Sequence, residues 1–329
     1  MTDLGGTFRD IPYYIIGVTK EIWEERRIAS LEHYYAPKIV VRSPASVVVG
    51  NDGIIAATLA TLHEFPDRQL YGEDVIWCEA PRGCALSSHR LICTATHQAP
   101  GVYGQPSGRQ LKYRIIAECH VDGTQINDEW LVRDQGAIVR QMGLTPEAFA
   151  RDLIAKEGGP EACVRPYTPA NDVAGPYSGT GNKNEWSERY ADLLTRIMRA
   201  DLAAIPAQYD RAAHLSYAGG VEALSWSGAD AFWLGLRASF PSAEFRIDHR
   251  IGRDGGEMPQ GAALRWSLRG KHDGWGSFGR PTGADVFIMG LCHAEFGTLG
   301  TAEPKLRREW ALIDETAIWK QILLHTGDL

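Results

Sequence analysis

The chain has 329 residues, 44% apolar and 23% charged, enough for one large domain or two modest ones with real cores. Its net charge is −7, and no Lys/Arg cluster grows beyond pairs such as Arg26-Arg27, which argues against nucleic acid or an anionic membrane as partner. The opening MTDLGGTFRD lacks the basic end and apolar run of a secretory signal, no apolar stretch reaches membrane-span length, and Cys78, Cys84, Cys93, Cys119, Cys163 and Cys292 form no CxxC pair, so reduced thiols and a cytoplasmic protein are expected.

In chain order, Ile15, Val18 and Ile22 stand at helical spacing and predict an opening helix. A second helix follows Gly53 and stops near Phe65-Pro66, where proline ends it. β-like runs come next: Val75–Glu79, Ser87–Gln98, Gln110–Val121 and Thr124–Val132. The last two flank Asp122-Gly123, a strong hairpin signal. A short helix, Gln135–Met142, closes the series. Glu157–Asn184 is rich in Gly and Pro and poor in large aliphatics, and reads as a linker or a strap lying along a domain. Trp186, Tyr190, Leu193 and Ile197 then begin the same order again.

The second half repeats the first. At a shift of 175, Tyr34 falls on Tyr209, Gly53 on Gly228, Phe65-Pro66 on Phe240-Pro241, His97 on His272, and Gly104, Pro106 and Gly108 on Gly279, Pro281 and Gly283. Near the end of each half the shift becomes 180: Glu129-Trp130 matches Glu309-Trp310, Asp134 matches Asp314, and Gln141 matches Gln321. The five extra residues are placed in a longer turn around Glu295–Lys305. A period this long exceeds any solenoid unit and means two copies of one domain. The expected organisation is residues 1–156 and 185–329 as the copies, with 157–184 between them. Helices followed by antiparallel strands give an α+β class, each copy a curved antiparallel sheet covered by helices.

No phosphate loop, GxSxG elbow or HExxH is present, and Gly179-Thr180-Gly181 opens no Rossmann turn. The ten histidines show no metal-ligand spacing with Cys or Asp. The expectation is therefore no cofactor and no metal, with any chemistry carried by ordinary side chains in a pocket.

Particular stretches carry a family resemblance. They are His97-Gln-Ala-Pro-Gly-Val-Tyr-Gly-Gln-Pro-Ser-Gly-Arg109, the Asp122-Gly123 hairpin, Asp128-Glu129-Trp130, Asp134 and Arg140-Gln-Met-Gly143 in the first copy. In the second they are His272-Asp-Gly-Trp-Gly-Ser-Phe-Gly-Arg-Pro-Thr-Gly283, Glu309-Trp310, Asp314 and Gln321. Together with the element order, these resemble the SnoaL-like polyketide cyclases of the nuclear transport factor 2 superfamily. The resemblance implies a cone of bent sheet and helices around an apolar pocket, usually without a cofactor. It also implies a small, largely apolar organic ligand, and a pairing of the two copies as an intramolecular pseudo-dimer, with or without further homo-oligomerisation. In the cyclases the catalytic Asp directly follows the position that holds Trp here. This chain has Leu131 there, and Ala311 in the second copy, and neither can move a proton.

Glu129 and Glu309 stand two residues before that position, and the period of two along a strand puts them on the family's pocket face. A carboxyl in an apolar cone loses hydration and shifts toward neutrality, which suits a general acid or base. Hydrophobic alternation points the other way: it turns Ile126, Trp130 and Val132 inward, and Asp128 with them. A turn at Asp122-Gly123 would then set Ile126 opposite Cys119, Trp130 opposite Ile115 and Val132 opposite Tyr113. Where both faces are covered this alternation cannot decide, and the face implied by the resemblance, with Glu129 toward the pocket, is the one expected. His97 and His272 precede equivalent Gly/Pro loops, where they serve as proton carriers or as holders of the loop. Asp134 and Asp314 read as helix N-caps, His120 as a hairpin-tip surface residue, and His293 as a second-copy candidate beside Glu309. Tyr113, Trp266, Trp130 and Trp310 read as packing. Three functions compete: a cofactor-independent cyclase, isomerase or lyase using Glu129, His97, Asp128, His293 or Glu309; a non-catalytic small-molecule binding protein; and one working copy beside a structural partner.

Overall fold

Asp10 starts the first helix, Ile11–Thr19, by accepting a hydrogen bond from the Tyr13 N–H, with Pro12 in the first turn where its missing N–H costs nothing. The computed structural model describes residues 4–298 and 300–329. Among these residues, the chain builds two six-stranded sheets of the same design.

In the first copy, β1 (Tyr35–Ser43) and β2 (Ser46–Val49) form a hairpin ahead of the helix Asn51–Glu64. Then come β3 (Gln69–Ala80), β4 (Cys84–Thr96), β5 (Gln110–Asp122) and β6 (Gln125–Arg133), in sheet order β2-β1-β6-β5-β4-β3. The second copy follows with β7 (Tyr209–Tyr217), β8 (Val221–Leu224), the helix Trp226–Ser239, β9 (Glu244–Arg253), β10 (Gly261–Lys271), β11 (Asp285–Gly297) and β12 (Lys305–Leu312), in order β8-β7-β12-β11-β10-β9.

Both copies are α+β, as expected, but each sheet is mixed. The first strand of each copy runs parallel to its last, β1 beside β6 and β7 beside β12. The hairpin ahead of the second helix was not foreseen. Its strands are short β-branched runs, Ile39-Val40-Val41 and Val47-Val48-Val49, too brief for periodicity to separate from a helix.

The β5–β6 turn also differs. Asp122 pairs with Gln125, so Gly123 and Thr124 make the turn, with Gly123 at φ +58° where a side chain is disfavoured. A register shift between His120 and Val121 completes the change. Ile126 therefore faces Val121, Trp130 faces Glu118 and Val132 faces Ile116, in place of the expected pairs.

The sheets pack back to back. Ile76, Leu86, Ile116, Trp130 and Val132 of the first meet Ile251, Met289, Leu291, Trp310 and Leu312 of the second in one apolar layer. Each outer face is covered by its own helices, so each sheet is buried on both sides. Charged pairs cross the seam, among them Asp74–Arg253, Glu118–Arg265 and Arg114–Glu222. The segment 157–184 enters this seam. Asp172 pairs with Arg42, the Tyr177 hydroxyl lies 2.6 Å from His249 Nε2, and Gly181 bridges to Arg250 on β9.

Candidate active site in the first copy

Along β6 the side chains alternate between two environments. Glu129, Leu131 and Arg133 face the helices, whereas Asp128, Trp130 and Val132 face the seam. The helix-side face forms the wall of a cavity of about 240 Å³. Its lining is mostly apolar (Ile15, Val18, Trp23, Val41, Leu70, Leu91, Ile115), with Tyr35, Arg68, His89, Cys119, Glu129 and Arg133 as the groups that can titrate or carry charge. The helix Asn51–Glu64 roofs it with small residues, Gly53, Ala57, Thr58 and Thr61, and buries only Thr58 and Glu64.

Glu129 is 6% exposed, opposite Cys119 on β5 and beside Val41 on β1. Burial pushes its carboxyl up to about 7, opposed only by the nearby Tyr35 hydroxyl. That same burial drives the Tyr35 hydroxyl well above its ordinary range, so Tyr35 stays a neutral donor. His89, also in the wall, is pushed down to about 4 by burial and is neutral near pH 7.

The second copy fills the corresponding space. Where the first has Ile15, Ser43, Ala57, Thr58 and Leu91, the second has Tyr190, Tyr217, Phe232, Trp233 and Trp266. Tyr217 stacks on Phe232 with centroids 4.2 Å apart, and Trp233 meets Trp266 at 5.9 Å. Trp266 lies across Gly290, where a Cβ would come within 2.1 Å of the indole; the first copy has Ile115 at that place. Glu309 occupies the position of Glu129 but is fully used. It accepts hydrogen bonds from the hydroxyls of Tyr190, Tyr209 and Tyr217, and Trp233 Nε1 lies 3.4 Å away. Burial raises its carboxyl and these donors oppose the rise.

The other predicted candidates lie elsewhere. Asp128 is fully buried on the seam side, paired with Arg42 and accepting from the Tyr177 N–H, so it does not reach the cavity. His293 pairs with Trp310, one residue past Glu309, which sends it to the seam instead of beside Glu309. There its Nε2 lies 2.9 Å from Ser88 Oγ and its Nδ1 3.2 Å from Arg90; burial and the Arg90 charge hold it neutral. His97 sits outside the cavity wall. Its Nδ1 accepts from the Ser107 N–H, its Nε2 is 3.2 Å from Glu64, and its backbone pairs with Gly108 and Arg109, so it holds the loop it precedes. His272 does the same with Thr282 and Gly283.

Asp134 and Asp314 are N-caps, accepting from Ala137 N–H and from Thr316 and Ala317 N–H. Asp134 also accepts from the N–H groups of Gly219 and Gly220 across the seam. His120 is buried, not at the surface, because Tyr177 of the connecting segment packs on its ring. Trp130 lies between Arg42 and Arg265, and Trp310 under Arg90.

Sequence reading missed Tyr35, Arg68, His89 and Arg133. For three of them a signal exists in the places where the copies differ, since Arg68, His89 and Arg133 correspond to Ala243, Leu264 and Ile313, whereas Tyr35 has its counterpart in Tyr209.

Among the described residues, no cluster of three or more His, Cys, Asp or Glu could hold a metal ion, and no helix is long and apolar enough to cross a membrane. All six cysteines are free and buried.

Residues 15–142 match the family model of the SnoaL-like polyketide cyclases. Among solved structures, IdmH of Streptomyces antibioticus, a proposed polyketide cyclase, is 19% identical over 40% of this chain and 96% of its own, with a TM-score of 0.35. A proposed polyketide cyclase of Acidithiobacillus ferrooxidans is 20% identical over 40% and 92%, TM-score 0.35. AclR of Streptomyces galilaeus, a proposed hydroxylase, is 22% identical over 38% and 90%, TM-score 0.34. None of the curated proteins matches the sequence. The first copy is thus similar to the SnoaL-like polyketide cyclase family over residues 15–142, and the second half repeats its topology strand for strand.

Proposed function

We propose that the first copy is a cofactor-independent enzyme that moves a proton on a small, largely apolar carbonyl compound, with Glu129 as general acid and base, and that the second copy is its structural partner. The observation that carries this reading is Glu129 itself: a carboxyl on the wall of an apolar cavity that Tyr35 also lines, held at about 7 by burial. Such a group is close to half ionised at neutral pH, where a proton carrier works best.

A carboxylate there can take a proton from a carbon next to a carbonyl. The enolate either accepts the proton back at another atom, an isomerisation, or closes a ring on a second carbonyl. In ring closure the new alkoxide recovers the proton from Glu129, which returns to its starting state. Neutral Tyr35 fixes the carboxyl's orientation, and the apolar wall keeps water from competing.

The test needs no natural substrate. Deuterium exchange at the benzylic α-carbon of an enolisable ketone such as 2-tetralone, followed by NMR in D₂O, should be catalysed by the protein. Glu129→Gln should lose roughly 10²–10⁴-fold of that rate, the usual worth of general acid–base catalysis. Equal rates in both proteins would refute the assignment.

Leu131 and Ala311, which cannot carry a proton, favour a second reading, a binding protein of the same fold. Tight ligand binding with no exchange at any pH would select it.

A further inference from the structure

The cavity has a second pole. Arg133 lies four residues beyond Glu129 on the same face of β6, roughly 13 Å away at about 3.3 Å per residue. Arg68 lines the same cavity just ahead of β3. Tyr113 links the two: its hydroxyl lies 3.1 Å from Arg68 Nε, and it shares the wall of a neighbouring cleft with Arg133.

Buried charges in proteins are normally paired. Arg42 and Arg90, comparably buried, each face a carboxylate: Arg42 pairs with Asp128 and Asp172, and Arg90 with Glu73. Arg68 is 4% exposed, and its hydrogen-bond partner is the Tyr113 hydroxyl, 3.1 Å from Nε. Among the described residues no carboxylate lies at ion-pair distance from Arg68 or Arg133, and the buried Arg133 Nε has no hydrogen-bond partner. Glu64, which shares a neighbouring cleft with Arg133, is taken up by the N–H groups of Val102 and Tyr103 and by His97. The filled second copy has Ala243, Ile313 and Ile288 in place of Arg68, Arg133 and Tyr113. Positive charge is therefore present where the space is open and absent where it is closed.

We propose that Arg68 and Arg133 form an anion site at the end of the first cavity remote from Glu129, and that its ligand is a small carboxylate with an apolar body. Planar guanidinium groups suit a carboxylate because two parallel N–H groups meet its two oxygens. The apolar body then lies along Leu91 and Ile115 toward Glu129. This inference rests on the first cavity being the working site and names the class of molecule it takes.

The experiment is calorimetric binding to the full chain at pH 6, where Glu129 is protonated and simple carboxylates are ionised. Benzoate, 2-naphthoate and octanoate are each compared with the matching amide. At least one acid should bind about tenfold or more tightly than its amide, as charge-assisted hydrogen bonds do. Arg68→Met and Arg133→Met should each cut that preference about tenfold. Arg68→Met should also leave the melting temperature unchanged or raise it, because an uncompensated buried charge is removed. A merely structural Arg68 would give a lower melting temperature and an unaltered acid preference. The proposal is overturned if acids and amides bind within twofold of one another, if the preference survives in the double variant, or if none of the six compounds binds. Glu129→Gln should keep the acid preference. Loss of α-exchange with the preference intact would therefore strike only the proton-transfer reading, and Glu129-dependent exchange without the preference only this one.

Discussion

Glu129→Gln should alter stability in a way that depends on pH. In the folded chain burial lifts this carboxyl from its ordinary 4.5 to about 7. Between those values the folded state holds a proton that the unfolded state releases, so the wild-type protein loses stability as pH rises through this window. Displacement of about 2.5 pH units, at about 1.4 kcal/mol each, makes the penalty about 3 kcal/mol above pH 7 and none below pH 4.5. Gln has the same shape and no proton to lose, so its chain escapes the penalty. Relative to wild type, the variant should be nearly equal at pH 4.5 and more stable by about 3 kcal/mol at pH 8, roughly 6 °C at about 2 °C per kcal/mol. Paired melting curves from pH 4.5 to 8 read this directly, because every other titrating group is common to both proteins and cancels. A melting difference that stays flat across the range would refute the argument, since Glu129 would then ionise alike folded and unfolded.

Three further outcomes follow from the packing. Leu91→Trp, which copies Trp266 into the first cavity, should abolish ligand binding and cost about 1–3 kcal/mol by overpacking against Ile115; adding Ile115→Gly, which copies Gly290, should recover part of that loss in thermal melts. Glu309→Leu should destabilise the chain by roughly 3–5 kcal/mol in urea melts, since the Tyr190, Tyr209 and Tyr217 hydroxyls lose their common acceptor, while ligand binding in the first cavity stays unchanged. Asp134→Ala should cost about 2–3 kcal/mol, more than an ordinary cap, because the Gly219 and Gly220 N–H groups lose their partner together with Ala137.

The repeat was legible because turns, caps and proline stops are local and tolerate little change. Phe65-Pro66 and Phe240-Pro241, His97 and His272, and Asp134 and Asp314 occupy equivalent places in the two copies. The face of β6 was not legible from hydrophobic alternation, because this strand has no solvent side. One face meets the other sheet and the other meets a cavity, so Trp130 and Leu131 are both apolar and neither marks the inside. Asp128 stood as the alternative to Glu129 because the residue that claims it, Arg42, is distant in sequence. His120 and His293 were misplaced for a related reason. Their burial comes from Tyr177 and Ser88, and contacts across a seam leave no periodic trace in either strand. Arg68 and Arg133 escaped notice because likeness between the copies was the guide, whereas the cavity is written in their differences.

The back-to-back seam joins two halves of one polypeptide. A pair of identical chains would meet through an isologous interface, in which every substitution appears twice and the assembly comes apart on dilution. Here the partner is always present at the effective concentration set by the tether, so the pairing is indifferent to how much protein the solution holds. Each position can also vary alone. That freedom lets Trp266 and Gly290 close one cone without closing the other, and lets Arg68 remain in one cone while Ala243 fills its place in its neighbour.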